Sequence, residues 1–245
     1  MKSNKIKKLV KKKNTKKNRI KTGGSKICRN NRSLCFGNNH QFYTDSKNEL
    51  IKFYNLLQKL GLTVFLAGGT LLGCIRENNL MSNDDDICLG LIEYYDTTKL
   101  IEKLFENRGY NKMIYSGKEE NGKLISKIRK DNYGNETTIF KQFTFSKKIN
   151  NNLIEFDITV CHQDPINNHF VDTNYFDNKV QFYLYKPFNL KLIHFLNSYF
   201  YIPENYNEYL NNLYGNWKDE NPFFKWSDSP CLSENYNYSN LRYFD

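Results

Sequence analysis

The first hydrophobic pattern in the chain has the period of an amphipathic helix. Apolar side chains at positions 50–60 recur every three or four residues. Ser46 followed by Glu49 forms a capping-box pattern, and Gly61 is the kind of residue that commonly ends a helix. The sequence therefore predicts that order begins near Thr44 and that a helix continues to Gly61.

The pattern then changes several times between extended and helical spacing. The short apolar run 62–67 predicts a buried strand that ends in a Gly-Gly-Thr turn. Later segments are predicted as a short helix at 71–77, a strand at 87–92, a helix at 97–108, strands near 112–115, 124–129, 137–145 and 153–160, and helical segments that begin at Pro187 and Pro203. This order indicates an α+β fold, in which helices flank a mixed sheet and the C-terminal part is helical.

The positive charge of the chain is concentrated at its N-terminus. The formal net charge is +10, but residues 1–26 hold 12 of the 36 basic side chains and no acidic one. The other 24 basic residues face 26 acidic ones, so the remaining chain is nearly neutral. Residues 1–40 are too polar to form a core, which predicts a disordered basic tail before a single domain at 41–245. The tail is either a solvated segment or an address for nucleic acid or an anionic surface.

The cysteines and the apolar runs bear on the cellular setting. None of the six cysteines forms a Cys-x-x-Cys pair, and a chain of 245 residues does not need disulfide staples, so reduced thiols are predicted. No apolar h-region follows the basic N-terminus, and no run is long enough to span a membrane. We therefore expect a soluble, intracellular protein without a transmembrane segment.

The first chemical signal is the turn after the first predicted strand. Gly68 and Gly69 let the backbone turn sharply and let a ligand approach it closely. Thr70 is placed to cap the next helix, whose free N–H groups form an anion site. Taken alone, the segment is more typical of an ordinary strand-to-helix turn.

Three consecutive carboxylates precede the second predicted strand. Packed like charges raise one another's pKa, and a divalent cation with oxygen ligands relieves the repulsion. On an extended chain Asp84 and Asp86 point to one face, whereas Asp85 points to the other. A solvated acidic loop is the alternative, but the run leads directly into a buried strand, which favours a metal site.

Another carboxylate, Asp157, lies within the apolar strand 153–160. Alternation places Glu155, Asp157 and Thr159 on one face of that strand, which is either part of the same site or the solvent face of an edge strand. A Gly-Gly-Thr loop, an acidic cluster and a distant strand Asp together have the layout of nucleotidyltransferase-fold enzymes, in which carboxylates hold divalent ions against a nucleotide's phosphates.

The sequence also resembles the LicD/fukutin-related family. The segment 68–76 followed by 84–87 is similar to the family pattern GGTLLG-x-x-R…DDDID. Later segments that are similar, in the right order, are Lys127-Ile-Arg129, Glu155-Phe-Asp157-Ile158 and the closing stretch from Tyr209 through Tyr214-Gly215 and Trp217 to Pro222. The resemblance covers about residues 45–225.

The resemblance implies a nucleotidyltransferase-like fold and a phosphotransferase activity. Such an enzyme moves a phospho-alcohol of the choline, ribitol or glycerol phosphate type from a CDP-activated donor to a glycan hydroxyl. Three roles are implied by it: Gly68, Gly69 and Thr70 cradle the diphosphate; Asp84, Asp86 and Asp157 are catalytic and hold Mg²⁺ or Mn²⁺; and Arg76, Lys127 and Arg129 neutralise phosphate charge. Each of the last three is alternatively a solvated cation.

The sequence departs from the family pattern at Cys88, where the pattern has Asp. A thiol is a softer ligand that suits Mg²⁺ badly. If that Asp is obligatory, the site is weakened, prefers Mn²⁺ or Zn²⁺, or is inactive. Otherwise Asp84 and Asp86 form the metal-binding pair, and Cys88 is a small buried residue.

Two other functions stay open at this point. A nucleotidyltransferase that moves NMP to an acceptor such as RNA would use the same metal centre, although the segments at 68–76 and 214–217 favour the LicD side of the fold. A degenerate, non-catalytic domain that binds a glycan or nucleic acid is supported by Cys88. His162 lies close to Asp157 in sequence and is a candidate base, but a structural role is favoured.

Overall fold

The computed structural model describes residues 35–92, 97–105, 108–116, 118–120, 123–125, 128–130, 136–138, 141–176, 179–221, 224–233 and 236. Its first long element is helix α1, His40–Lys59, which follows a 3-10 turn at Phe36–Asn38. Gly61 has a φ of +74° directly after the helix, so the predicted end is confirmed. Of the predicted tail, residues 1–34 lie outside the described residues.

The predicted start of this helix is wrong. Ser46 and Glu49 lie inside α1, where both side chains are buried. The helix is capped earlier by Asn39, whose side-chain oxygen accepts a hydrogen bond of 2.9 Å from the backbone N–H of Phe42. Phe42 is itself buried in the core, so the apolar face of the helix extends one turn further than the capping-box pattern indicates.

The predicted alternation of strands and helices after α1 is confirmed. Strand β1 is Thr63–Leu66, helix α2 is Gly68–Arg76, strand β2 is Asp86–Ile92 and helix α3 is Thr98–Phe105. Strands β1 and β2 pair antiparallel, with Thr63 opposite Ile92 and Leu66 opposite Leu89. Helix α2 therefore starts at the end of the β1–β2 pair where β2 begins.

The main sheet has eight strands and mixed pairing. Its other members are β3 (Asn111–Ser116), β8 (Lys141–Ile149), β9 (Asn152–Asp164), β10 (His169–Phe176), β11 (Lys179–Tyr185) and β14 (Leu232–Ser233). The order is β1-β2-β9-β10-β11-β14, with β8 pairing both β9 and β3. The β2–β9 pair is parallel, whereas the other pairs are antiparallel. The predicted α+β class is confirmed.

Three two-stranded sheets and a helix complete the described part of the chain. They are β4 (Lys118–Glu120) with β5 (Lys123–Ile125), β6 (Ile128–Lys130) with β7 (Glu136–Thr138), β12 (Leu190–Phe195) with β13 (Ser198–Pro203), and helix α4 (Tyr206–Tyr214). Helix α4 confirms the helical segment predicted after Pro203. The helix predicted from Pro187 is wrong, because that segment forms the β12–β13 hairpin.

The two faces of the sheet differ in chemistry. Ile154, Phe156 and Ile158 of β9 are fully buried on one face, where Phe53 of α1 stacks on Phe156 with ring centroids 4.2 Å apart. Glu155, Asp157 and Thr159 point to the other face, so the predicted alternation along β9 is confirmed. Helix α4 covers part of that second face.

Two further observations concern the membrane and the cysteines. Within the part of the chain that the structure describes, no helix has both the length and the apolarity needed to cross a membrane. Cys74, Cys88, Cys161 and Cys231 are free thiols, as predicted, but Cys35 is disulfide-bonded, so the prediction of reduced thiols is wrong for that residue. The length of the chain and its lack of Cys-x-x-Cys pairs do not exclude a single disulfide.

Candidate active site

The start of helix α2 is fixed against the start of strand β2 by two hydrogen bonds. The backbone N–H of Cys88 donates to the hydroxyl oxygen of Thr70 at 2.8 Å, and the N–H of Ala67 donates to the carbonyl of Cys88 at 3.2 Å. The expectation that Thr70 caps α2 is wrong, because the helix begins at Gly68 and the buried hydroxyl of Thr70 serves β2 instead. The α2 N-terminus and the acidic strand are thus held together.

The loop that carries the acidic residues is braced by the segment before α1. The N–H of Phe36 donates to the carbonyl of Asp84 at 3.0 Å, and the N–H of Gly37 donates to the carbonyl of Ser82 at 2.9 Å. Within the loop, the N–H of Asp84 donates to the carbonyl of Met81 at 3.1 Å. These backbone bonds fix the position at which the carboxylates enter β2.

The three consecutive carboxylates form a compact cluster. One carboxyl oxygen from each of Asp84, Asp85 and Asp86 lies within 4.8 Å of the others. Asp84 and Asp85 are buried, and Oδ1 of Asp84 accepts a hydrogen bond of 3.2 Å from the backbone N–H of Asp85. Carboxyl groups this close repel one another strongly when they are ionised.

The pKa values reflect this crowding. Burial is the main reason why the pKa of Asp84 is raised to about 6, and the charges of Asp85 and Asp157 add to it. Burial, followed by the charges of Asp84 and Asp157, raises the pKa of Asp86 well above its usual value. Asp157 belongs to the same electrostatic unit, because its charge raises the pKa of both residues. Repulsion of this kind is what a divalent cation relieves.

The parallel register of β2 and β9 brings Asp157 to the cluster. Cys88 lies opposite Asp157, and Asp86 lies opposite Glu155. Burial raises the pKa of Asp157, and a hydrogen bond of 2.7 Å donated by the hydroxyl of Thr144 to its Oδ1 opposes that shift. Burial and the charge of Asp157 also raise the pKa of Glu155. The face of β9 that the sequence left undecided therefore belongs to the acidic cluster.

The glycines of the turn leave room for these carboxylates. A Cβ atom on Gly69 would lie 2.4 Å from Oδ2 of Asp84, so no larger residue fits beside the cluster without displacing it. Gly68 has a φ of +48°, and a Cβ there would meet the Cys88 sulfur at 3.2 Å. Both glycines are required by contacts with the acidic strand rather than by the turn alone.

Cys88 differs from its neighbours in chemistry. Burial, followed by the charge of Asp86, raises the pKa of its thiol well above its usual value. The oxygen-rich donor set of Asp84, Asp86 and Asp157 fits a hard divalent cation such as Mg²⁺ or Mn²⁺. The neutral thiol of Cys88 adds no charge to that set.

The three basic residues expected at the site are described to different degrees. Arg76 lies at the end of α2, where its Nη2 is 3.5 Å from the sulfur of Met81 and 3.0 Å from Oε1 of Glu77. Arg129 is on β6, and only its backbone position is described. Lys127 lies outside the described residues. The structure thus places Arg76 beside the acidic loop and leaves the other two as predictions.

Two residues of the site were not singled out from the sequence. Thr144 binds Asp157 across the β8–β9 pair, and no local pattern identifies a threonine of this kind. Tyr214, at the end of α4, has its hydroxyl 3.8 Å from the position of a Gly68 Cβ, and Cys88 and Asp84 raise its pKa together with burial. The signal for Tyr214 was its place in the Tyr-Gly-x-Trp segment of the family resemblance.

His162 is not a candidate base for this site. It is fully buried on β9 and lies opposite Val171 of β10. Because side chains alternate along a strand, His162 points to the face of the sheet opposite to that of Asp157. The favoured structural role is therefore consistent with its position in the core.

Comparison with known proteins identifies the family of the chain. The fold and the acidic cluster define the class: a mixed-sheet domain with carboxylates gathered on two strands beside a glycine turn. The family model described as LicD/FKTN/FKRP, nucleotidyltransferase domain, matches residues 61–205, more than half of the chain. The chain belongs to this family. Membership implies, at the level of the family, a phosphotransferase-type function in glycan modification. No curated protein sequence matches the chain.

Proposed function

We propose that the protein transfers a phospho-alcohol, of the choline, ribitol or glycerol phosphate type, from a CDP-activated donor to a glycan hydroxyl. The observation that carries this proposal is the cluster of Asp84, Asp85 and Asp86, whose carboxyl oxygens lie within 4.8 Å of one another, with Asp157 brought beside it by the pairing of β2 with β9. A cluster of buried acids is unfavourable unless a cation compensates it, and the donor's diphosphate is a ligand for the same cation. Family membership supports the phosphotransfer and the glycan acceptor.

The cofactor that we propose is Mg²⁺ or Mn²⁺, held by Asp84, Asp86 and Asp157. When bound, it neutralises the phosphate charge that develops during transfer. Gly68, Gly69 and the N–H groups at the start of α2 bind the diphosphate, because a helix N-terminus favours anions and these glycines leave the backbone accessible.

The reaction exchanges one P–O bond for another. An oxygen of the glycan hydroxyl forms a bond to the phosphorus that carries the alcohol. The bond from that phosphorus to the CMP oxygen breaks, and CMP leaves with the electron pair. The hydroxyl proton passes to a carboxylate of the site, which acts as general base. Arg76, Lys127 and Arg129 are proposed to balance the charge of the donor and of CMP.

The proposal is tested by calorimetric binding of a nucleotide panel with Mn²⁺, with Mg²⁺ and with EDTA. The panel contains CTP, CDP-choline, CDP-ribitol, CDP-glycerol, UDP-glucose and ATP. The variants are Asp86→Asn and Cys88→Asp, and Asp228→Asn is the matched control because Asp228 is exposed on the 3-10 turn after α4. We expect metal-dependent, cytidine-selective binding that Asp86→Asn abolishes and Asp228→Asn leaves intact.

Two outcomes would contradict the proposal. If the wild-type protein binds none of the nucleotides and Cys88→Asp restores binding, the site has degenerated and the protein is a binding domain. If ATP and CTP bind as well as the CDP-alcohols, and NMP is recovered on an acceptor, the activity is nucleotidyl transfer. The CDP-alcohol that binds most tightly identifies the group transferred.

A further inference from the structure

A second concave site lies at the end of the sheet opposite to the acidic cluster. It is an open cleft of about 490 Å³, between the end of α1, the β1–β2 pair and the β12–β13 hairpin. Thr63 and Ile92, which are paired across β1 and β2, are among the residues that line it. Asp86 is six residues from Ile92 along β2, so the cleft is about 20 Å from the acidic cluster.

The walls of the cleft combine aromatic rings with uncharged polar groups. The rings belong to Phe170, Phe188 and Tyr201, and the side-chain amides belong to Gln58 and Asn189. Among the residues that the structure describes, the ten that line the cleft carry no charge. A phosphate, a nucleotide or a metal ion finds no counter-charge in such a lining, whereas a neutral polyol finds both donors and acceptors.

The aromatic wall is held rigidly. Phe188 makes edge-to-face contacts with Phe65, Phe170 and Tyr209, at centroid distances of 5.4, 4.9 and 5.6 Å. The cost of ordering this ring is therefore met in the free protein, which favours ligand binding. A flat, fixed ring beside amides offers a stacking surface for the apolar C–H face of a sugar and hydrogen bonds for its hydroxyls.

The amides beside this ring are available to a ligand. Asn189 is exposed, although its backbone carbonyl is used by the N–H of Glu204 at 2.7 Å. The amide nitrogen of Gln58 is 3.4 and 3.5 Å from the carbonyls of Leu62 and Val64, at the long limit for hydrogen bonds. Exchanging such contacts for a ligand hydroxyl costs little.

The hairpin extends this surface away from the cleft. Leu192 is paired with Tyr201, so the two share a face, and Leu192 is 56% exposed. The next pair on that face is His194 and Tyr199, whose rings are 5.3 Å apart, and Tyr199 is 66% exposed. A cleft that continues into an exposed track with aromatic rings suits a chain-like ligand better than a compact one.

We propose that this cleft binds a neutral sugar segment of the glycan acceptor, at a distance from the hydroxyl that is modified. This inference rests on the proposed function, which supplies the glycan as acceptor. Binding one part of a polymer here raises the effective concentration of its other parts at the acidic cluster. The expected consequence is a preference for acceptors of several sugar units over single sugars.

The proposal is tested by NMR titration and calorimetry with four neutral tetrasaccharides: cellotetraose, maltotetraose, chitotetraose and mannotetraose. Gln58→Ala and Asn189→Ala remove one amide each, Asn189→Trp fills the cleft, and Asn207→Ala is the control because Asn207 is an exposed amide on α4. We expect at least one tetrasaccharide to bind in EDTA as well as in Mn²⁺. Each amide-to-alanine change should weaken it about fivefold, Asn189→Trp should abolish it, and the control should not change it.

Sugar binding and nucleotide binding are read on the same samples, so the two proposals fail separately. Tetrasaccharide binding that Asp86→Asn leaves unchanged and Asn189→Trp abolishes supports the cleft, even if no nucleotide binds. The cleft proposal is overturned if no tetrasaccharide binds the wild-type protein, if binding requires Mn²⁺ and Asp86, or if Gln58→Ala and Asn189→Ala both bind like the control. Unchanged binding by both alanine variants is also the result expected if another part of the chain occupies the cleft.

Discussion

At the scale of single residues, the hydroxyl of Thr144 opposes the effect of burial on the pKa of Asp157. Its hydrogen bond stabilises the charged carboxylate and lowers the pKa of Asp157 against the effect of burial. Thr144→Val removes the bond at nearly constant volume, so the pKa of Asp157 should rise. We expect the acidic limb of Mn²⁺ binding to move to higher pH and kcat/KM to fall about tenfold.

The control for Thr144→Val is Ser146→Ala, two residues along β8 and opposite Glu155. Ser146→Ala should leave the pH profile of Mn²⁺ binding where it is in the wild-type protein. An unchanged profile for Thr144→Val, with the fold intact by circular dichroism, would show that the hydroxyl does not govern Asp157.

Asp172 is a buried carboxyl outside the acidic cluster. It is 4% exposed on β10, and burial raises its pKa to about 7, only partly opposed by a hydrogen bond with Thr159. The unfolded chain ionises near the ordinary value of 3.8, while the folded protein keeps this proton until about pH 7. The stability that Asp172 contributes is therefore fully present below pH 3.8, the pKa in the unfolded chain, and is lost as the pH rises to about 7, the pKa in the folded protein. The total loss is about 4 kcal/mol.

Asp172→Asn removes this pH dependence. The free energy of unfolding, measured by urea denaturation in EDTA, should favour the variant progressively as the pH rises from 4 to 7, relative to the wild-type protein. Asp228→Asn provides the comparison for an exposed carboxyl. A constant difference between wild type and Asp172→Asn over that pH range would mean that Asp172 ionises normally.

At the scale of elements, strand β2 depends on a glycine that permits an aromatic ring to cross it. A Cβ on Gly90 would lie 2.2 Å from the ring of Phe65, which is fully buried opposite it on β1. Gly90→Ala should therefore lower the free energy of unfolding by about 1–3 kcal/mol through overpacking. The added Phe65→Leu change should recover part of the loss, and an additive double-mutant cycle would refute this explanation.

The segment 187–203 shows why an element can be mistaken in sequence. Its apolar residues fit both the period of a helix and the alternation of a strand, so spacing alone does not decide. The deciding feature is a tight turn in which Leu196 and Asn197 have φ values of +50° and +62°. Two left-handed residues in succession are typical of a two-residue hairpin, but leucine gives no local signal for that conformation.

Only part of the site can be predicted from the sequence, because some of its residues are adjacent in the chain and others are brought together by strand pairing. Asp84 and Asp86 could be inferred because adjacent carboxylates are visible in a linear sequence. The approach of Asp157 depends on the parallel register of β2 with β9, and that of Thr144 on the pairing of β8 with β9. Pairings between strands that are distant in sequence are set by the packing of the whole sheet and leave no local pattern.

At the scale of the whole molecule, the acidic cluster couples stability to metal binding. Without a cation, the carboxyls of Asp84 and Asp86 are protonated at a pH where the unfolded chain is ionised, because both folded pKa values are raised. The metal-free protein should therefore lose stability as the pH rises from about 4 to above 6. A cation that binds only the folded state should reverse that loss.

Thermal unfolding with and without Mn²⁺ tests this coupling. In EDTA at pH 7.5, Asp86→Asn should unfold at a higher temperature than the wild-type protein, by about 2–4 °C for each kcal/mol of repulsion removed. Adding Mn²⁺ should raise the midpoint of the wild-type protein and of Asp228→Asn, and should leave Asp86→Asn unchanged. The wild-type protein should thus have the lower midpoint of thermal unfolding in EDTA and the higher midpoint in Mn²⁺, compared with Asp86→Asn. If Asp86→Asn is the less stable protein in EDTA, the pair Asp84–Asp86 stabilises the fold by itself, and the argument that its burial requires a cation fails.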